Sequence, residues 1–465
     1  MPIKILAFLL PFIAISAHAQ EEAHSAARHA ANDSNCLEAC IAKAHWSAHT
    51  RTFFMSTINE GGLKDDYALG FGAGIGVLTK PLHGFQAGMS GFFIYNVASS
   101  KIHELDPLTQ SPNRYEVGLF DIEDHENKND LDRLEELFLK YTYSKSSITL
   151  GKMILNTPFM NPQDGRMRPT IEEGVWLTVN ESSKFGLSGG WIWDVSPRST
   201  IKWYSVAHSI GVYPGGVTAE GKKSDYAGNI EGNSGMGIIN LSYKPSEHLK
   251  INVWNGFLEN VMNSALIEFN AERKKGRQTY YQDLLFMHQD ALNNGGNADA
   301  SKSYIEKGAQ SNAFSFRAGV KDKKFNNSVS YTHITGDGRY LMPREWGKEV
   351  FYTFMPRERI EGYGNVHALM VRSNWTVNSR FQTALAYSYV QLPDVRDYRL
   401  NKYGMPSYHQ INYSANYTFE KFLRGMDFKL LVAYKLQQGE TYGNLKYVYN
   451  KVNMLNLNLV MDFKI

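Results

Sequence analysis

From about residue 50 to the end, apolar and polar residues alternate with a period of two, in stretches of about ten residues. The closing stretch is the clearest. Leu455, Leu457, Leu459, Met461, Phe463 and Ile465 share one side, opposite Asn456, Asn458, Asp462 and Lys464. The pattern recurs in Phe85 to Tyr95, where Phe85, Ala87, Met89, Phe93 and Tyr95 oppose Gln86, Ser90 and Asn96. It recurs again in Ile411 to Phe419 and Phe428 to Leu436. Each stretch predicts a strand with one greasy and one wet face, long enough to cross a bilayer at a tilt.

The breaks between stretches are of two kinds. Short polar ones, such as Lys80 to Gly84, Glu181 to Lys184, Pro245 to Glu247 and Val377 to Ser379, alternate with long ones rich in charge, Gly and Pro. The long breaks include Ser99 to Arg133, Asn156 to Glu173, Val195 to Gly235, Gly336 to Gly364 and Pro393 to Tyr408. Within Val195 to Gly235, Thr200 to Val206 is an alternative extra strand. Alternating short and long connections predict an all-β fold, a transmembrane antiparallel β-barrel over residues 50–465. About 18 strands fit, at roughly 24 residues for each strand with its connection.

The first residues are of another kind. Lys4, the apolar run Ile5 to Ile15 and Ala17-His18-Ala19 predict a signal peptide over residues 1–19. Residues 20–49 are then a periplasmic N-terminal segment with room for a short helix near Asn35 to His45. Cys36 and Cys40, the two cysteines of the chain, would fall one turn apart on it. A local disulfide suits an oxidising compartment, whereas a metal site with a nearby His is the weaker reading; no metal or other cofactor is expected.

Composition fits this picture. Aromatic residues make up 13 % of the 465 residues, as girdled strands require, and Gly numbers 39. The formal charge of +3 says little, because a barrel sorts charge by face. Parity puts Lys140, Lys244, Lys250, Arg317, Lys321, Arg372, Lys429 and Lys435 on the wet face, against Glu136, Asp194 and Asp462 as inward acids. Inward cations either hold walls together by pairing with acids or draw anionic solutes along the lumen. The excess of bases favours the second.

One long break is itself informative. Asn156 to Val175 holds three prolines and an Asp-Gly, which exclude a strand and predict a rigid, turned loop. Gly151-Lys152, Thr157-Pro158, Asp164-Gly165-Arg166, Pro169 and Glu173-Gly174 follow at spacings that resemble the OprD-type family of outer-membrane porins. Arg51-Thr52-Phe53-Phe54 and Thr335-Gly336-Asp337-Gly338 are similar to that family's opening strand and long seventh loop.

The resemblance implies a monomeric 18-stranded barrel whose third outer loop folds inward, assembled by the barrel-assembly machinery among outer-membrane lipids. It also implies diffusion of small anionic or zwitterionic carboxylate-bearing solutes. On that basis Asp164, Arg166 and Glu173 are constriction residues. Arg168 and Glu172 stand where the family more often has apolar or aromatic residues, so the constriction here is expected to be more charged. An oligosaccharide porin of the same fold is the alternative, with Trp176 and Trp254 as platforms, and an outer-membrane enzyme or adhesin is a more distant one.

Other motifs carry less. Gly186-Leu187-Ser188-Gly189-Gly190 matches a nucleophile elbow in letters, but Trp191-Ile192-Trp193 follows where a helix is needed. Its glycines instead suit a bend or close contact. No phosphate-binding or dinucleotide loop is present, and no nucleic-acid partner is expected. Arg273-Lys274-Lys275 falls in a predicted periplasmic turn, a position suited to headgroup contact.

Overall fold

The protein is described by a computed structural model covering residues 36–163 and 165–465. The expected signal peptide, residues 1–19, and the candidate Asp164 lie outside the described residues. A short helix, α1 (Leu37–Ala42), leads into the strands. These are β1 (His45–Asn59), β2 (Asp66–Leu78), β3 (Phe85–Ser99), β4 (Leu131–Tyr143), β5 (Ser146–Met153), β6 (Ile171–Val179), β7 (Phe185–Ser196), β8 (Tyr204–Ser205) and β9 (Met236–Ser246). They continue as β10 (Leu249–Leu258), β11 (Met262–Lys275), β12 (Gln278–Ala291), β13 (Gln310–Lys321), β14 (Phe325–Ile334), β15 (Val366–Thr376), β16 (Phe381–Gln391), β17 (Tyr408–Thr418), β18 (Met426–Gln437) and β19 (Met454–Lys464).

Consecutive strands pair antiparallel, and β1 pairs with β19 from His49↔Lys464 to Asn59↔Met454, so the sheet closes on itself. β8 is the exception. Only Tyr204 and Ser205 of the expected Thr200 to Val206 segment become a strand, added to the end of β7, while β7 itself continues the wall by pairing with β9. The closed wall therefore has 18 strands. Closure is what satisfies every edge N–H and C=O without water.

The wall begins earlier than the alternation suggests. His45 to His49 pair with Gly74 to Leu78, and Ala48 exchanges backbone bonds with Ile465, so residues 45–49 belong to β1 and not to an N-terminal tail. Trp46, exposed, and Ala48 share the outer face here, opposite His45, Ser47 and His49, so the start of β1 alternates as well, over too few residues to stand out from the polar segment before it. Ahead of them, Cys36 Sγ accepts from the Ala39 N–H and caps α1, while Cys40 is buried against Pro81. No group of three or more metal-binding side chains gathers among the described residues.

Face parity is as the alternation requires. In β3, Phe85, Met89, Phe93 and Tyr95 are exposed on the outer face, whereas Phe92, Ile94 and Asn96 are buried inside. Glycine has a specific task on β7: a Cβ at Gly190 would lie 1.9 Å from the Val175 carbonyl oxygen of β6, a spacing open to no other residue.

What strand periodicity does not reveal is how much of the interior the loops fill. Phe159, Met160, Ile210, Tyr226, Tyr304, Tyr340, Trp346, Phe351 and Tyr363, all from loops, join inward strand residues such as Ile192, Met236, Leu285 and Val366 in one buried cluster. Burying several such side chains, at about 1.5–3 kcal/mol each, favours loops turned into the barrel over loops held at the rim.

Candidate functional site

Two loops shape the channel. The 154–170 loop leaves the end of β5 and turns inward; Thr157 Oγ1 accepts from the N–H groups of Phe159 and Met160, an ordered turn directed by Pro158. The 335–365 loop comes from the opposite side, and the two are clasped together. Asn161 N–H donates to the Trp346 carbonyl at 2.8 Å, its Oδ1 accepts from Lys348 N–H at 2.9 Å, and Thr170 Oγ1 donates to the Glu345 carbonyl. Trp346, 1 % exposed, donates its indole N–H to Ser209 and anchors the clasp in the buried cluster.

Where the loops meet they enclose a cavity of ≈ 760 Å³, on the long-loop side of the barrel, lined by Arg114, Arg166, Arg198, Arg344, Arg357 and Arg359 among others. Two are neutralised. Arg114 pairs with Glu358 at 2.8 Å, where Lys435 also donates at 2.9 Å, and Arg344 pairs with Glu361 at 2.6 Å while its guanidinium stacks 3.7 Å from the Tyr403 ring centroid. Burial alone would raise the Glu358 carboxyl, but Arg114 and Lys435 outweigh it and hold it well below the usual carboxylate range.

The other four arginines have no acidic partner among the described residues. Arg357 donates to Asn458 Oδ1 and the Gly165 carbonyl, Arg359 to Gln163 Oε1 and the Arg344 carbonyl, Arg166 to the Gly165 carbonyl and Arg198 to the Arg344 carbonyl. The Nε–H groups of Arg166 and Arg357 have no acceptor among the described residues. Burial first, and then mutual repulsion, push Arg357 down to about 9 and Arg359 to about 10; Arg166 and Arg198 shift the same way. Among the described residues such a cluster lacks counter-charge, and it is relieved by an anion, above all one that accepts two parallel N–H bonds.

The residues expected at the constriction take different places. Arg166 lines the cavity. Arg168 does not: it is 3 % exposed, pushed down to about 9 by burial and then by Arg133, and its Nη2 donates to the Leu131 carbonyl, tying the loop to the wall. Glu172, also expected to add charge to the pore, is fully buried in β6, where its Oε2 accepts from Leu155 N–H and ties the start of the loop to its end. Glu173 is carried off the pore altogether. Register places Leu137, Lys152, Glu173 and Asp194 in one row, and Leu137 is an exposed outer residue. Glu173 pairs with Lys152, whose ammonium lies 3.6 Å from the Trp203 ring centroid. Strict alternation along β6, with Glu172 and Trp176 inward, already turns Glu173 outward; on β7 the extra residue Trp193, between the Glu173↔Asp194 and Gly174↔Ile192 pairs, moves the expected inward acid Asp194 into the same outer row.

The predicted ladder divides. Lys140, Lys244 and Lys250 line a second cavity of ≈ 600 Å³ on the short-turn side of the 154–170 loop, together with Trp176, Trp254 and Glu136. Arg317, Lys321, Lys429 and Lys435 are in ion pairs with Asp283, Glu272, Asp462 and Glu358, and Arg372 donates to the Phe354 carbonyl. Asp283, Glu135 and Glu268 are inward acids that the parity reading left out. The unneutralised charge therefore comes chiefly from loop arginines, which period two does not reveal. Their signal was the run Arg357-Glu358-Arg359-Ile360-Glu361, dense in charge inside a loop too long to be a turn.

No curated protein sequence matches the chain. Solved structures do. OccAB4 of Acinetobacter baumannii is 16 % identical and aligns over 91 % of this chain and 98 % of its own, with a TM-score of 0.69. OccK9 (OpdG) of Pseudomonas aeruginosa is 12 % identical over 92 % and 99 %, with a TM-score of 0.71. OpdK of Pseudomonas aeruginosa, in a structure with vanillate, is 13 % identical over 91 % and 98 %, with a TM-score of 0.65. At these identities the likeness concerns the fold. A family model described as outer membrane porin, OprD family, matches residues 39–406. The closed, greasy-walled barrel and the match over most of its length lead to one conclusion: this chain belongs to the OprD family of outer membrane porins, channels of the Gram-negative outer membrane and not enzymes.

Proposed function

We propose that this porin passes small carboxylate-bearing solutes, anionic or zwitterionic, through the arginine-lined cavity. The observation that carries the reading is the set of four guanidinium groups, without acidic partners among the described residues, gathered where the two clasped loops meet. A carboxylate entering a narrow passage loses part of its water, and charge-assisted bonds from Arg166, Arg198, Arg357 and Arg359 offset that loss. Beyond the 154–170 loop, Lys140, Lys244 and Lys250 offer further sites of the same sign. Several weak sites in series speed passage without trapping the solute. Vanillate, present with OpdK, is a carboxylate of this kind. A path of this kind lies within one barrel and needs no second copy, so the expected working unit is a monomer.

An oligosaccharide path is the second reading, because Trp176 and Trp254 line the same short-turn chamber. Reversal potentials in a planar bilayer across a KCl gradient, followed by blockade with small carboxylates and with oligosaccharides, separate the two. Anion preference with carboxylate block supports the arginine path. Block by sugars alone transfers the function to the tryptophans.

A further inference from the structure

The short-turn rim carries a one-sided basic arc that the channel reading does not use. The β11–β12 hairpin ends in Arg273, Lys274, Lys275 and Arg277, and the β13–β14 turn, two strands on, adds Lys323 and Lys324. All six are exposed, and none is in an ion pair among the described residues. The acids of the same two turns are already engaged: Glu272 pairs with Lys321 at 2.6 Å, and Asp322 Oδ1 accepts the N–H groups of Lys324 and Phe325 at 2.7 and 2.8 Å. The arc is bounded. On one side the 247–248 turn offers Glu247 and His248, and on the other Arg380 reaches Glu420.

Its depth relative to the membrane is set by aromatic residues. Tyr280 is 47 % exposed on the outer face and is the direct cross-strand partner of Arg273. Phe325 follows Lys324 and stacks on Trp375, ring centroids 6.0 Å apart and planes 11° apart, with both rings exposed outward. Rings of this kind mark the headgroup level of a barrel. Lys275 stands two residues, about 7 Å, beyond the Tyr280 row. The six cations thus lie at and just beyond that level, where long side chains snorkel toward phosphate oxygens.

We propose that this arc is a docking surface for anionic phospholipid headgroups of the periplasmic leaflet, which gather preferentially at the β11–β14 side of the barrel. Charge complementarity and continuity with the lipid-facing wall both point to that occupant, since any ligand here must meet the membrane surface as well as the protein.

The test compares full-length protein with a sextuple variant, R273Q/K274Q/K275Q/R277Q/K323Q/K324Q, reconstituted in phosphatidylcholine vesicles. Electron spin resonance of spin-labelled phosphatidylglycerol and spin-labelled phosphatidylcholine then reports the boundary-lipid preference of each protein. The wild type is expected to favour phosphatidylglycerol about five- to tenfold in low salt, and the variant to lose that preference. A second variant that exchanges Arg273 and Arg277 for Lys keeps the charge and is expected to retain it. Retained heat-modifiable migration on gels shows that each barrel is folded. Equal selectivity in wild type and sextuple variant overturns the proposal. So does unchanged lipid selectivity accompanied by lost co-sedimentation with peptidoglycan, which transfers the arc to the cell wall.

Discussion

Replacing Arg357 and Arg359 by Gln tests the channel reading most directly. Both side chains line the cavity between the clasped loops, and neither has an acidic partner among the described residues. A cavity of ≈ 760 Å³ has the volume of a sphere about 6 Å in radius, so an anion near its centre lies about 4–6 Å from the wall charges. At that range each unit charge contributes about 0.7–1 kcal/mol even at the dielectric of water. Two lost charges amount to about 1.5–2 kcal/mol, roughly a 10- to 30-fold fall in anion occupancy. In the bilayer assay at low ionic strength, the reversal potential of R357Q/R359Q is expected to move far toward cation selectivity. The difference should shrink in molar KCl, where screening acts over about 3 Å. The companion R357K/R359K loses the bonds to Gln163 and Asn458 but keeps the charge, so it separates electrostatics from loop position. A double Gln variant with wild-type selectivity at low salt would refute the argument, because it would mean that permeating ions do not sense these groups.

Three further outcomes follow from the packing. Glu358→Gln leaves Arg114 and Lys435 facing each other in a nearly dry site, and is expected to destabilise the protein by about 3–5 kcal/mol, read as a lower unfolding temperature in detergent. Lys402 is 2 % exposed, bonded to Tyr226 Oη and surrounded by the rings of Tyr226, Tyr304 and Tyr403; burial pushes it down to about 8. Between pH 8 and its unfolded value near 10.5 the unfolded chain binds the extra proton, so stability should rise with pH across that window, by at most about 3 kcal/mol. K402M should flatten that slope in unfolding titrations, and an unchanged slope would place its origin elsewhere. Gly190→Ala puts a methyl group onto the Val175 carbonyl and is expected to lose about 1–3 kcal/mol through displaced strands; wild-type stability would show that β6 and β7 can part without penalty.

Much of the wall was legible because a strand is a local object. The alternation in Leu455 to Ile465 follows from backbone geometry, in which neighbouring side chains point to opposite faces. The greasy face is readable only because one side must meet lipid. The same rule misled where geometry departs from strict period two. At Asp194 the extra residue Trp193 moves the side chain to the outer row, and at His45 to His49 the alternation is too short to mark the start of a strand that only its pairing with β2 and β19 reveals. Arg168 and Glu172 stand out in the sequence as charged and unusual, but it does not say that one is turned to the Leu131 carbonyl and the other to the Leu155 amide.

By itself, then, the sequence determined the kind of molecule: a barrel of about 18 strands, its faces, its alternating turns and loops, and a loop too rich in proline to join the wall. These depend on residues within a few positions of one another. Tertiary structure alone decided where charge stays uncompensated. Arg198 meets Arg359 at one carbonyl, and Gln163 meets Arg359 across 196 residues, so the basic cavity is a property of three loops folded against one another. Electrostatic energy depends on distance in space and on burial, neither of which period or composition records.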